Sequence, residues 1–267
     1  MVANASLRYP GEWFDLAIAL IIGTLIFLVL GFLTGGVCCF WGLIGLIVML
    51  LMVAVANNHL KEVCTHVSKE NTPEVQAICN EVSSKLGMGL PEIYIDGSNE
   101  INAYTRGIVT PVVVLHKGLL DVMDRGELRF VLGHEFGHIK LFHFAIRTMF
   151  DSSIFRIPVI VYIPLLVFRM LFLNGRMSRS MEHSADRAGL VACGDIEDAV
   201  SCMIKLRTGQ DKVDRRTVAR AVAGRLDLDE EEGFLSELLS THPELEDRIR
   251  ELVDHSRNER IGWPDRG

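Results

Sequence analysis

The hexapeptide GHEFGH, at residues 133–138, holds the residues of this sequence that are best suited to chemistry. On a helix, His134 and His138 lie four residues apart and project from the same face, so both imidazoles can reach one metal ion. Glu135 then lies beside an open coordination position of that ion, where a carboxylate can act as a general base. The pattern predicts a metal-assisted hydrolytic site, provided that the chain supplies a third ligand.

A third ligand is sought downstream of the hexapeptide. The pattern HExxHxxGxxH is excluded, because Leu141 and Phe144 occupy the positions that would have to be Gly and His. The segment SRSMEHSADRAG, at residues 178–189, offers Glu182 and Asp186 one helical turn apart. Glu182 is the candidate ligand, and Asp186 can accept a hydrogen bond from the distal nitrogen of a ligating histidine. An ordinary solvated helix face is the alternative interpretation of this acidic pair.

Local patterns indicate the elements that position these residues. The segment 124–144 is predicted to be the histidine-bearing helix, since Asp124 and Glu127 have the spacing of a capping box. Residues 72–87 predict a second amphipathic helix. Stretches of β-branched or alternating residues predict a small sheet, with strands at 91–96, 102–107 and 110–120. The sequence therefore predicts a mainly α fold with a small β-sheet, of the α+β class.

The N-terminal region is strongly apolar. No residue from Leu16 to Ala56 carries a charge, and a bilayer core needs roughly 20 apolar residues per helix. This length predicts two transmembrane helices that reverse direction at the paired glycines of LTGGVC (33–38). We therefore expect a membrane anchor at residues 1–56 and a catalytic domain at residues 57–267.

A second apolar segment, at residues 152–175, separates the candidate ligands. A single membrane crossing here would place Glu182 and His138 on opposite sides of the bilayer, and two crossings need roughly 40 residues. Two arginines and two prolines also interrupt the segment. It is therefore predicted to be an interfacial or re-entrant hairpin, which would place the active site at the membrane surface.

Charge and cysteine content indicate the compartment and the class of partner. Arg8, Lys61 and Lys69 flank the predicted hairpin on one side, and its turn carries no Lys or Arg, which favours a catalytic domain in the cytoplasm. Six cysteines include no CxxC pair, as is typical of a reducing compartment. A net charge of −7 without a basic cluster argues against nucleic acid as a partner.

Four motifs occur in order between residues 102 and 252, namely NAYTRG, GHEFGHI, SRSMEHSADRAG and THPELEDRIREL. Together they resemble those of the HtpX-like membrane zinc metallopeptidases, relatives of the integral-membrane proteases that cleave prenylated peptides. The resemblance implies a gluzincin-like zinc metalloprotease domain after the transmembrane hairpin. It also implies one zinc ion per chain on His134, His138 and Glu182, with Glu135 as the base and Asp186 supporting a ligand.

The same resemblance implies the substrate and its mode of binding. Asn102 and Ala103 correspond to a sheet-edge strand on which an extended polypeptide adds as a further β-strand, bound mainly through its backbone. The implied substrates are polypeptides, in particular membrane proteins that are misfolded or damaged. The implied setting is a multi-pass protein of the cell membrane that contributes to protein quality control from the cytoplasmic side.

Several alternatives remain open from the sequence. His242 can stabilise an oxyanion or cap the zinc in a resting state, or it can simply precede a helix that begins at Pro243. A membrane-anchored zinc protein with a structural or scaffold role and no turnover is the rival from another class, although a structural site has no need of Glu135. A prenyl-peptide (CAAX-type) protease is the rival within the peptidases, although such relatives have more helices than this chain can supply.

Overall fold

The computed structural model describes residues 7–107, 110–144, 176–223 and 243–261. The apolar segment at 152–175 and His242 lie outside these ranges, so the expectations for both stay predictions.

The described residues form helices around one small sheet. The helices are α1 (Glu12–Leu33), α2 (Val37–Val63), α3 (Pro73–Leu86), α4 (Lys117–Val122), α5 (Arg125–Lys140), α6 (Arg176–Cys193), α7 (Ile196–Thr208), α8 (Arg215–Val222) and α9 (Pro243–Glu259). The strands are β1 (Thr65–His66), β2 (Glu92–Asp96), β3 (Ala103–Arg106) and β4 (Val112–His116). The predicted mainly helical α+β fold is confirmed.

The sheet has the strand order β1-β2-β4-β3, so β3 lies at one edge. β2 and β4 are parallel, whereas β1 and β3 pair antiparallel with their neighbours. All five residues of β4 are buried, as expected for a central strand that reads VVVLH. The predicted strand at 110–120 was too long, because the chain leaves the sheet after His116 and continues as α4.

The two N-terminal helices are joined at Gly35 and Gly36, which have φ values of 58° and 86°. A side chain at either position would be strained in this left-handed conformation, so the predicted glycine turn is confirmed. Phe32 is 88% exposed, and it is one of many large apolar side chains that α1 and α2 leave uncovered. Within the described ranges, no helix combines the length and the hydropathy that a membrane span requires.

The helix α5 begins at a capping box, as predicted. The side chain of Asp124 accepts a hydrogen bond from the backbone N–H of Glu127, and the Glu127 carboxylate accepts one from the N–H of Asp124, both at 2.9 Å. Lys205 on α7 pairs with the same Glu127 carboxylate at 2.7 Å. The beginning of the histidine-bearing helix is therefore fixed both locally and by tertiary contacts.

Small residues allow α5 and α6 to pack closely. A Cβ atom built on Gly133 would lie 2.4 Å from the Cβ of Ala192 and 2.9 Å from the Cα of Gly189. A Cβ atom on Gly137 would lie 2.6 Å from the Cβ of Ala188. Since real side chains do not approach so closely, the two glycines of GHEFGH are required by the helix pair.

We expect the substitution Gly133→Ala to lower the stability of the protein by about 1–3 kcal/mol, because the added methyl group overpacks the contact between α5 and α6. Thermal unfolding of the purified protein would measure the loss. The matched control is Gly89→Ala, since no atom lies within 4 Å of the added Cβ and the φ at Gly89 is not in the left-handed region. Equal stability of the two variants would contradict the proposed packing constraint.

Candidate metal centre

Three predicted ligands converge between α5 and α6. The Nε2 atoms of His134 and His138 lie 3.2 Å apart. The carboxylate oxygens of Glu182 lie 3.5 Å from Nε2 of His134 and 3.6 Å from Nε2 of His138. Among the described residues, this is the group of His, Cys, Asp and Glu side chains whose atoms lie close enough together to hold a metal ion.

These separations fit a zinc ion. A tetrahedral zinc bound to nitrogen and oxygen ligands at about 2.0–2.2 Å places neighbouring ligand atoms about 3.3–3.6 Å apart. The three distances in the structure span 3.2 to 3.6 Å. The site therefore offers two imidazoles and one carboxylate with a spacing that suits zinc.

Asp186 orients His134 through Nδ1, the ring nitrogen that faces away from the other predicted ligands. Its carboxylate oxygen lies 2.9 Å from Nδ1 of His134, so the imidazole donates its proton there and turns Nε2 toward the other ligands. Arg248 on α9 donates to the same carboxylate from Nε at 2.8 Å and from Nη2 at 2.6 Å. Its Nη1 also lies 3.4 Å from the Glu182 carboxylate. The structure thus brings the acidic pair of α6 into the site rather than to a solvated face.

The charges of the site are mutually stabilised. Burial raises the pKa of Asp186 and of Glu182, but Arg248 and the nearby histidines outweigh it and hold both pKa values below the ordinary range. Burial lowers the pKa of His134, whereas its hydrogen bonds with Asp186 and Glu182 raise it to about 9. The two carboxylates therefore favour the protonated form of His134 when no metal is bound, and a metal ion at Nε2 would compete with that proton.

Glu135 is held by the sheet edge. The hydroxyl of Thr105 on β3 donates to the Glu135 carboxylate at 2.6 Å. Glu135 is mostly buried, yet it lines an open cleft of about 660 Å³ together with His134 and Glu182. Asn102 and Ala103 line the same cleft. The predicted base and the predicted substrate strand therefore face one space.

Sequence reasoning missed several residues of this site. Thr105 and Arg248 lie within the motifs NAYTRG and THPELEDRIREL, but no local spacing indicates which carboxylate each one contacts. His143 lies 3.1 Å from Nδ1 of His138. Its neighbour on the other side is Glu12, which is far away in the sequence, so no local pattern indicates this contact.

Comparisons with known proteins also indicate a metallopeptidase. The sequence model of Peptidase family M48 matches residues 69–256. The Protease HtpX homolog of Dictyoglomus thermophilum is 29% identical over 217 residues, which cover 69% of this chain and 70% of that protein. The Protease HtpX homolog of Dictyoglomus turgidum is 26% identical over 253 residues, covering 79% and 82%. That of Bifidobacterium longum is 29% identical over 231 residues, covering 74% and 75%.

No solved structure matches the chain significantly. The family match nevertheless spans more than half of the chain and includes all three converging residues, His134, His138 and Glu182. The chain therefore belongs to Peptidase family M48 and is an HtpX-like metalloprotease, a hydrolase of peptide bonds.

Proposed function

We propose that this metalloprotease is a zinc-dependent endopeptidase that is anchored in the cell membrane and acts on polypeptides, chiefly membrane proteins. The observation that carries the proposal is the convergence of His134, His138 and Glu182 within one cleft, with Glu135 beside them. Zinc is the metal proposed because family M48 is zinc-dependent in general and because the ligand spacing suits this ion.

The proposed roles of the residues follow from their positions. His134, His138 and Glu182 would hold the zinc ion, which would supply Lewis acidity to the scissile carbonyl and to the attacking water. Glu135 takes the proton of the attacking water and later delivers it to the leaving amine, acting as general base and then as general acid. Asp186 and Arg248 keep His134 in the tautomer that presents Nε2 to the metal.

Thr105 is proposed to position the base. Its hydroxyl proton is directed to the Glu135 carboxylate at 2.6 Å, which fixes the rotamer of that side chain. The same hydroxyl lies 3.3 Å from the backbone carbonyl of Glu135. A carboxylate that is already held in the reactive orientation transfers protons faster than one that rotates among several orientations.

The edge of β3 is proposed as the substrate-binding strand. The backbone N–H of His116 donates to the carbonyl of Asn102, so Asn102 is a hydrogen-bonded position of the antiparallel pair. Ala103 and Thr105 are then the alternate positions, whose backbone groups point away from β4 and toward the open edge. An extended peptide that adds there gains main-chain hydrogen bonds with little dependence on its side chains.

The membrane setting is supported by the sequence and by surface exposure. The charge-free stretch from Leu16 to Ala56 suits two spans, and α1 and α2 expose apolar side chains such as Trp13 and Phe32. We propose residues 1–56 as the anchor and 57–267 as the peptidase domain, with 152–175 returning to the starting side. The catalytic domain then faces the cytoplasm, and removal of misfolded membrane proteins is the proposed role.

The experiment that tests the function compares zinc content and proteolysis in the detergent-purified full-length chain. Wild type and Glu135→Gln are expected to hold about one zinc per chain, with cleavage of casein only by wild type, because Gln cannot accept the proton. Glu182→Ala is expected to lose both metal and activity. Glu74→Gln, on the exposed first turn of α3, is the matched control and should behave like wild type. Substantial turnover by Glu135→Gln would reject the mechanism.

Substitution of Thr105 tests the positioning of the base. Thr105→Val keeps the shape but removes a hydrogen bond to a charged group, worth roughly 1.5–3 kcal/mol, so kcat should fall about 10- to 100-fold with zinc content unchanged. Thr105→Ser retains the hydroxyl and should recover most of the rate. Equal rates for the Val and Ser variants would show that the hydroxyl does not position Glu135.

Backbone-methylated peptides test the substrate strand. On an edge where alternate residues offer hydrogen bonds, N-methylation at every second peptide position should weaken binding, and methylation at the intervening positions should not. Each lost bond should reduce affinity roughly 3- to 10-fold. Binding to the Glu135→Gln variant would be measured, so that the peptides are not cleaved. Equal losses in the two methylation series would exclude strand addition.

A further inference from the structure

The second histidine ligand is supported by a chain of buried residues. Nδ1 of His138 lies 3.1 Å from Nδ1 of His143. Nε2 of His143 lies in turn 3.0 Å from the carboxylate of Glu12, at the beginning of α1. All three side chains are buried, with His138 at 0%, His143 at 2% and Glu12 at 3% exposure. The chain of contacts therefore runs from the metal centre to the N-terminal helix without reaching solvent.

The direction of these hydrogen bonds follows from the role of His138. A histidine that presents Nε2 to a metal carries its proton on Nδ1, so it must donate to Nδ1 of His143. His143 then accepts at Nδ1 and carries its own proton on Nε2, which it donates to the carboxylate of Glu12. Each of these two hydrogen bonds then has one donor and one acceptor.

The backbone after α5 places His143 in this position. α5 ends at Lys140, and Phe142 has a φ of 64°, in the left-handed region that non-glycine residues rarely adopt. Its side chain is 68% exposed, so burial of that ring does not explain the conformation. The reversal turns His143 back beneath the last turn of α5, and its contact with His138 is the structural gain that accompanies the strain.

The Glu12 carboxylate is held in place by two further side chains. Arg8 forms an ion pair with it, and the hydroxyl of Ser184 on α6 donates to its second oxygen. Arg8 also donates from Nη2 to the carbonyl of Leu141 at 2.9 Å, at the end of α5. We call the hydrogen-bonded chain of His138, His143 and Glu12 the relay. Arg8 therefore connects the N-terminal segment both to the relay and to the end of α5, the helix that carries His134 and His138.

We propose that Glu12 and His143 are positioning residues of the metal centre, which hold His138 in the tautomer and orientation that binds zinc. The proposal rests on the zinc site of the proposed function and adds to it a contribution from the segment before α1. It parallels the support of His134 by Asp186 and Arg248, but here the carboxylate acts through an intervening imidazole. Metal affinity then depends on how α1 lies against α5 and α6.

The test measures zinc affinity by competition with a chelator, using the full-length chain in detergent. His143→Ala and Glu12→Ala should bind zinc roughly 10- to 100-fold more weakly than wild type, as expected on losing a residue that orients a ligand. The visible spectrum of the Co²⁺-loaded protein should shift in the same variants. Glu12→Gln and His143→Gln keep an oxygen that can accept the proton, so each should recover part of the affinity.

The matched control is Asp15→Ala, one turn further along α1. Asp15 accepts a hydrogen bond from Ser180 on α6 at 3.2 Å, so removal of its carboxylate loosens the same contact between α1 and α6. Zinc affinity and the Co²⁺ spectrum should stay as in wild type. Thermal unfolding of each metal-free variant reports any general loss of packing.

The outcomes separate this inference from the proposed function. Wild type that binds no zinc would reject the proposed site and the relay with it. Wild type that binds zinc, with unchanged affinity and spectrum in the His143 and Glu12 variants, would reject the relay alone. If zinc affinity falls only in proportion to the stability of the metal-free protein, in Asp15→Ala as in the other variants, then Glu12 and His143 contribute packing alone and the inference is overturned.

Discussion

The close approach of α5 to α6 is the constraint on which the rest of the structure depends. Two proposed ligands lie on one helix and the third lies on the other, and metal–ligand bonds of about 2 Å would leave little freedom in the separation of the backbones. Gly133 and Gly137 on α5, opposite alanines and Gly189 on α6, remove the side chains that would keep the helices apart. The glycines of GHEFGH therefore contribute to the site as directly as its histidines.

A second constraint is the burial of charge. Glu182 and Asp186 lie close together in a largely buried site, where unpaired carboxylates would be strongly unfavourable. Arg248 contacts both carboxylates, and His134 is hydrogen-bonded to one and lies within 3.5 Å of the other. A divalent cation held by His134, His138 and Glu182 would lie directly beside the Glu182 carboxylate and compensate its charge. The charges of the site and the spacing of its ligand atoms therefore both favour a divalent metal ion.

The N-terminal segment is continuous with the catalytic region. Leu7 is 1% exposed and belongs to the main hydrophobic core. The N–H of Tyr9 donates to Ser184, and Arg187 donates to the carbonyl of Arg8, so the segment lies along the helix that carries Glu182. The segment before α1 is therefore in direct contact with the helix that carries Glu182. In the proposed membrane setting, these contacts place the predicted anchor directly beside the proposed metal centre.

Local sequence determined much of this protein. The four-residue spacing of His134 and His138 places both imidazoles on one helical face, and the capping box at Asp124 sets where that helix begins. Such features depend on contacts three or four residues apart, which a sequence displays directly. The mainly helical α+β class followed from the same kind of pattern.

Only the tertiary structure decided how the ligands are supported. Arg248 lies 62 residues from Asp186 in sequence, and Glu12 lies 131 residues from His143. The two-residue strand β1 is too short to leave a pattern, and it exists because β2 offers a partner. These pairings arise from the packing of whole elements, which fixes distances that no local spacing encodes. The residues proposed to bind the metal could be read from the sequence, whereas the residues that hold them in place could be found only in the fold.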